Sequence, residues 1–280
     1  MTSASLPPAA PPLIRSRAIR VGLYAASALF AFIWGFWLVS VPEAVLLLHV
    51  DAARARSPWA VEVKGFKKGL FYSIHADEVS VALPGGAGRI AARDLRVGLD
   101  LGRLLLLRPG VKVSGELGRG ALSASAHRDG PGVRASLALT GASLAGIHLP
   151  EGITGDGTVE LEATLDPDGR GVARIAVRDL AVERFTALGF AVPAELFSAG
   201  RAQLVHEGGV LTIESCVLEG QEAFARLSGT VRGTLVNLSL ELTTSERVER
   251  ENSAVIFLKQ YERSPHSYVV PLRFDAARFR

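Results

Sequence analysis

With 280 residues, 48% hydrophobic and 21% charged, and a mean hydropathy of +0.26, the chain is excluded from the disordered class and is expected to hold a segment that avoids water. Its single cysteine, Cys216, excludes an internal disulfide framework and a thiolate-only zinc cage. The net charge of +3 resides in Arg15, Arg17 and Arg20, ahead of the first acidic residue, Glu43; the other 28 basic residues face 28 acidic ones, which excludes the basic footprint that a nucleic-acid partner requires.

Residues 1–20 read as a disordered basic tail, since Thr2 to Pro12 is rich in Ala, Ser and Pro with no apolar period. Residues 21–42 carry no charge, and a helix of that length spans about 33 Å, enough to cross a bilayer. The run exceeds the apolar core of a cleaved signal peptide and ends in Trp37, Leu38 and Val39 rather than in a small-residue cleavage site. The three arginines before it, with Tyr24 and Trp34 and Trp37 toward its two ends, predict a single-pass, uncleaved membrane anchor. The N-terminus is then cytoplasmic and the remainder lies across the membrane, which the resemblance given below makes the inner membrane, with the remainder periplasmic. Residues 43–58 read as a juxtamembrane helix or linker, ending before Ser57-Pro58.

From residue 59 to 280 apolar residues recur at every second position, as in Val79, Val81 and Leu83, in Leu137 and Leu139, in Val159, Leu161 and Ala163, and in Val236, Leu238 and Leu240. Turn sequences separate these runs: Pro84-Gly85-Gly86, Arg108-Pro109-Gly110, Asp129-Gly130-Pro131-Gly132, Asp166-Pro167-Asp168-Gly169 and Glu207-Gly208-Gly209. Strands joined so briefly run antiparallel, so the expected fold class is mainly β, a long meander with one dry face. One helix is expected near Glu246 to Arg263, started by a capping box of Thr243 and Glu246, and a final strand from Tyr268 to Phe274.

No reactive constellation emerges, so no catalytic, cofactor-binding or metal-ligating residue is assigned and no enzyme activity is expected. The six histidines, His49, His75, His127, His148, His206 and His266, lack paired ligand spacing. The densest polar cluster, His75-Ala76-Asp77-Glu78, reads as a solvated strand face, and Gly85-Gly86-Ala87-Gly88-Arg89 as a hairpin without the Lys-Ser/Thr of a phosphate loop. Asp166-Pro167-Asp168-Gly169 begins like a calcium loop, but Val177 stands where the twelfth-position glutamate would be. Cys216 lies in a strand-like run from Leu211 to Leu218.

The stretches Ile90-Ala91-Ala92-Arg93-Asp94-Leu95-Arg96-Val97 leading into Leu104 to Leu107, Val111 to Ser125, Gly209 to Ile213 and Leu227 to Leu242, behind a basic stub and one anchor, resemble the type II secretion system protein N of delta-proteobacteria and spirochaetes. That family is itself similar to the AsmA-like periplasmic repeat proteins. The Gly118-Arg119-Gly120 step departs from the adjacent glycines of the family pattern. The resemblance implies a non-catalytic inner-membrane accessory of the machine that exports folded periplasmic proteins, with other secretion-system envelope proteins as partners. The AsmA-like side of it implies instead a curled sheet whose apolar face carries lipid, with Leu104 to Leu107 among its lining. A closed core in which the same leucines pack against each other satisfies the pattern equally, because alternation does not encode whether a sheet closes.

Overall fold

The structure, a computed structural model, describes residues 13–56, 60–70, 72–82, 89–105, 108–146, 154–187, 190–192, 196–251 and 258–275. Two helices open it, α1 (Leu13–Ser40) and α2 (Glu43–Arg56). Helix α1 begins inside the segment expected to be tail, so Arg15, Arg17 and Arg20 are helical. At Pro42 the missing N–H ends the ladder, and the Pro42 carbonyl accepts from Val45 N to start α2. Among the described residues no single helix is long and apolar enough to cross a membrane; Ser27–Val39 and Glu43–Ala52 reach that length and hydropathy together, bent by 74°. The apolar side chains of α1 are turned outward, with Val21, Phe32 and Val39 exposed, while Trp37 is buried.

After α2 the chain is one antiparallel meander. Its strands are β1 (Ala60–Lys64), β2 (Lys67–Lys68), β3 (Ser73–Ala82), β4 (Arg89–Leu99), β5 (Gly110–Leu117), β6 (Gly120–Asp129), β7 (Gly132–Ser143) and β8 (Thr154–Leu165). The second half continues with β9 (Gly171–Ala187), β10 (Phe190–Val192), β11 (Ala199–Glu207), β12 (Val210–Glu219), β13 (Ala223–Arg232), β14 (Leu235–Thr244), β15 (Glu262–Ser264) and β16 (Ser267–Asp275). Among the described residues the sheet has 16 strands in the order β1-β3-β4-β5-β6-β7-β8-β9-β11-β12-β13-β14-β16-β15, with β2 on β3 and β10 on β9, and it does not close on itself.

Turn chemistry explains the hairpins. Gly208 and Gly209 (φ 57° and 76°) form the two-residue loop between Glu207 and Val210, whose mirror-image turn needs positive φ at both central residues. Gly118 and Arg119 (φ 53° and 68°) do the same between β5 and β6, so the Gly118-Arg119-Gly120 step is a tight turn in which an arginine accepts the left-handed conformation. Asp166 to Gly169 is a turn, closed by Gly169 N donating to Asp166 O at 2.9 Å. The Pro84-Gly85-Gly86 hairpin and the glycine-rich run through Gly88 lie outside the described residues. Arg108-Pro109-Gly110 is not a hairpin turn: the short helix α3 (Leu101–Leu105), capped by Asp100 Oδ1 on Arg103 N, lies between β4 and β5.

The expected helix from Glu246 to Arg263 is corrected. Helix α4 covers Glu246–Glu251, residues 252–257 lie outside the description, and Arg263 belongs to β15. Its cap is Ser245, whose Oγ accepts from Val248 N at 3.3 Å; Thr243 is engaged in β14, paired with Ser267. A strand partner outcompeted the cap, as backbone pairing along a whole ladder outweighs one side-chain bond. The final strand stands where it was expected, as β16.

Buried residues three apart mark where the period of two breaks. Ala92 and Leu95 are both buried across a register slip around Asp94 (φ 48°), and Leu139 and Ala142 across one at Gly141 (φ 68°). A third slip separates Ile213 from Cys216. Each is a β-bulge, which inserts a residue, bends the strand and keeps the next apolar residue on the same face.

Candidate ligand-binding face

Following the register across the sheet shows what the alternation builds. One row of facing residues runs Leu122, Leu139, Leu161, Ile175, Ala202, Cys216, Leu227, Leu240 and Val270, from β6 to β16 without a polar interruption. A parallel row runs from Val97 and Val113 through Ala124, Leu137, Ala163, Ala173, Leu204 and Ile213 to Gly229, Leu238 and Leu272. At 4.7–4.9 Å per strand such a row extends on the order of 50 Å.

Burial along this face is graded. At one end of the strands it is covered: Leu144 from the turn after β7 packs with Leu139, Ala142 and Val159, and Phe197 from the segment before β11 packs with Ala223 and Ala225. At the other end Leu99, Val111 and Leu165 are exposed, and between Val111 and Leu165 the sheet forms a concavity of about 350 Å³ lined also by Val113, Ala124, Ala126, Ala135, Leu137 and Ala163. Monomeric proteins rarely leave so long an apolar strip without a layer over it. The opposite face is polar: Ser125 and Ser136 hydroxyls lie 2.9 Å apart, and Arg178 pairs with Glu160 at 3.2 Å and Arg201 with Glu219. These exposed pairs add little to stability, but they keep that face wet.

Of the leucines from Leu104 to Leu107, Leu104 is exposed on α3 beside this rim, whereas Leu106 and Leu107 lie outside the described residues. Cys216 occupies the middle of the apolar row, half-buried, and burial pushes its thiol above its ordinary value. The His75–Glu78 cluster is dispersed by lysines: Lys67 pairs with Asp77 at 3.5 Å and Lys64 with Glu78 at 3.0 Å. The hydrogen bond and charge of Lys64 hold the Glu78 carboxyl below its ordinary value. Among the described residues no group of three or more His, Cys, Asp or Glu side chains could hold a metal ion.

A joint that sequence reasoning missed fastens the sheet to α1. The Lys68 ammonium, at the start of β3's hairpin, reaches the carbonyls of Trp37 and Leu38 (3.0 Å) in the last turn of α1 and that of Val41 (2.7 Å) just beyond it, and lies 4.9 Å from the Trp37 ring centre. A cation there satisfies orphan carbonyls and opposes the helix dipole. Trp37 Nε1 donates to Gly69 O at 3.1 Å, its ring lies 4.8 Å from that of Tyr72, and Tyr72 Oη donates to Ile33 O. The carboxylate of Glu43 at the start of α2 accepts from Lys68 N at 2.9 Å. Replacing Lys68→Met is expected to loosen the joint by about 1–2 kcal/mol, read as roughly tenfold faster hydrogen exchange at the Gly69 and Ser73 amides. Unchanged exchange there would show that the ammonium contributes nothing.

No family model, curated protein or solved structure matches this chain.

Proposed function

We propose that this chain is a non-catalytic envelope protein, anchored in the inner membrane by α1 with its N-terminus cytoplasmic, and that its open apolar sheet face shelters the acyl chains of lipids in the periplasm. The observation that carries this reading is the apolar strand face, unbroken along the row from β6 to β16 and exposed beside that row where Val111 and Leu165 border the concavity. An acyl chain suits such a strip because it needs no directional partner, and each buried methylene gains about 0.8 kcal/mol. The outward apolar side chains of α1 behind three arginines support the anchor. Alkaline phosphatase fused after Arg280 is expected to be active, and an inactive fusion would reverse the topology.

The lipid reading is tested in the full chain in cells, with p-benzoylphenylalanine in place of Leu165 on the apolar face or of Arg201 on the polar face. Irradiation is expected to yield phospholipid adducts at position 165 alone; none at 165, or equal yields at both, would overturn it. A second reading, the accessory role in type II secretion, draws on the sheet order that ends at β1 and β15 instead of closing. Terminal strands are where an envelope partner adds a strand of its own. Loss of folded-protein export on deletion of the gene, with no lipid adduct at position 165, would favour it over the lipid reading.

A further inference from the structure

Next to the part of the apolar face that Phe197 covers, its last strand is covered differently. The row Leu218, Ala225, Leu242 and Tyr268 ends at a tyrosine with no exposed surface, and α4 follows directly from β14 beside it. In its sequence, Glu-Arg-Val-Glu-Arg-Glu, the only apolar residue is Val248, which is buried. Six residues are too few for a helix to persist by propensity, so α4 depends on what holds it.

What holds it is polar. Glu249 Oε1 accepts from Tyr268 Oη at 2.5 Å and, at 3.4 Å, from Thr244 Oγ1, and His266 Nδ1 lies 2.8 Å away. At the root of α4, Glu222 accepts from Ser245 Oγ at 3.1 Å and from Arg247 Nε at 2.9 Å. A cover fixed by two carboxylates, Glu249 and Glu222, and a single buried valine detaches more readily than one fixed by a hydrophobic layer.

We propose that α4 is a latch over the β14–β16 end of the apolar face, closed by Glu249 on Tyr268, and that its release lengthens the face open to an acyl chain. This regulation rests on the lipid reading above. The bond from Tyr268, and then the contact with His266, hold the Glu249 carboxyl below its ordinary value, while burial and the Glu249 charge raise the Tyr268 phenol. The donor stays protonated and the acceptor charged, the pairing that makes such a bond strong.

The test uses the full chain in its membrane, with Tyr268→Phe, which keeps the ring and removes the donor, and separately Glu249→Gln. Hydrogen exchange of the α4 amides is expected to rise about tenfold in Tyr268→Phe and at least as far in Glu249→Gln, which removes the charge that Thr244 and His266 also meet. With p-benzoylphenylalanine in place of Leu242, the cross-strand partner of Tyr268, lipid adducts are expected to increase several-fold in both variants, while the yield at position 165 stays constant. Adducts at 165 with no gain at 242, or α4 exchange unmoved in both variants, would overturn the latch alone. Absence of adducts at 165 in every chain would overturn the lipid reading and the latch's role with it.

Discussion

Truncating Leu139 to alanine is expected to lower stability by about 2–5 kcal/mol, whereas Leu165→Ala on the same face costs less than about 1 kcal/mol. Leu139 is 4% exposed, packed with Ala142 and Val159 under Leu144, so its loss leaves a cavity that the paired strands cannot collapse. Leu165 is 40% exposed and already borders open space. Urea unfolding followed by circular dichroism measures both, the midpoint shifting and the slope staying constant. Equal costs would mean that the two ends of the strands are equally covered, and the graded face would be wrong.

The second large effect falls on binding. Leu165→Glu is expected to weaken capture of a single-chain lysophospholipid at least about tenfold while changing the unfolding midpoint little. The glutamate head reaches water when the face is empty, because the site is open; a chain laid along the concavity must displace that water, and an unpaired buried carboxylate costs several kcal/mol. Cys216 reports the outcome without an added label site, since it is the single cysteine and lies in the apolar row. Bound lipid should slow its reaction with a maleimide in the parent chain and not in Leu165→Glu. Protection that survives the substitution would place the lipid elsewhere.

Much of the sheet was legible because its cues are local. Alternation in Leu137 and Leu139 or in Val236, Leu238 and Leu240 places each side chain on a face, and the glycine pair at 208 and 209 names the turn that reverses the chain. The bulges escaped that reading: Leu139 and Ala142, or Ile213 and Cys216, stand three apart, which in sequence looks like a pattern breaking off. The helix near Glu246 was placed correctly at its start and given the wrong cap, because Thr243 is claimed by a strand more than twenty residues away in the chain.

The contacts that give the chain its character are long-range. Nothing local announces that Lys68 will close the end of α1 or that Trp37 will donate to Gly69, 32 residues on, and Glu249, His266 and Tyr268 meet only because α4 folds back beside β16. By itself the sequence determined the class of fold, the antiparallel order, the separation of a wet face from a dry one and the charge-free run near the start, since each depends on neighbours a few residues apart. Only the tertiary structure decided that the sheet stays open and that its dry face is covered at one end and bare at the other. That outcome depends on twist and bulge accumulated over 16 strands and on which turns fold back over the face, quantities that no short window of residues contains.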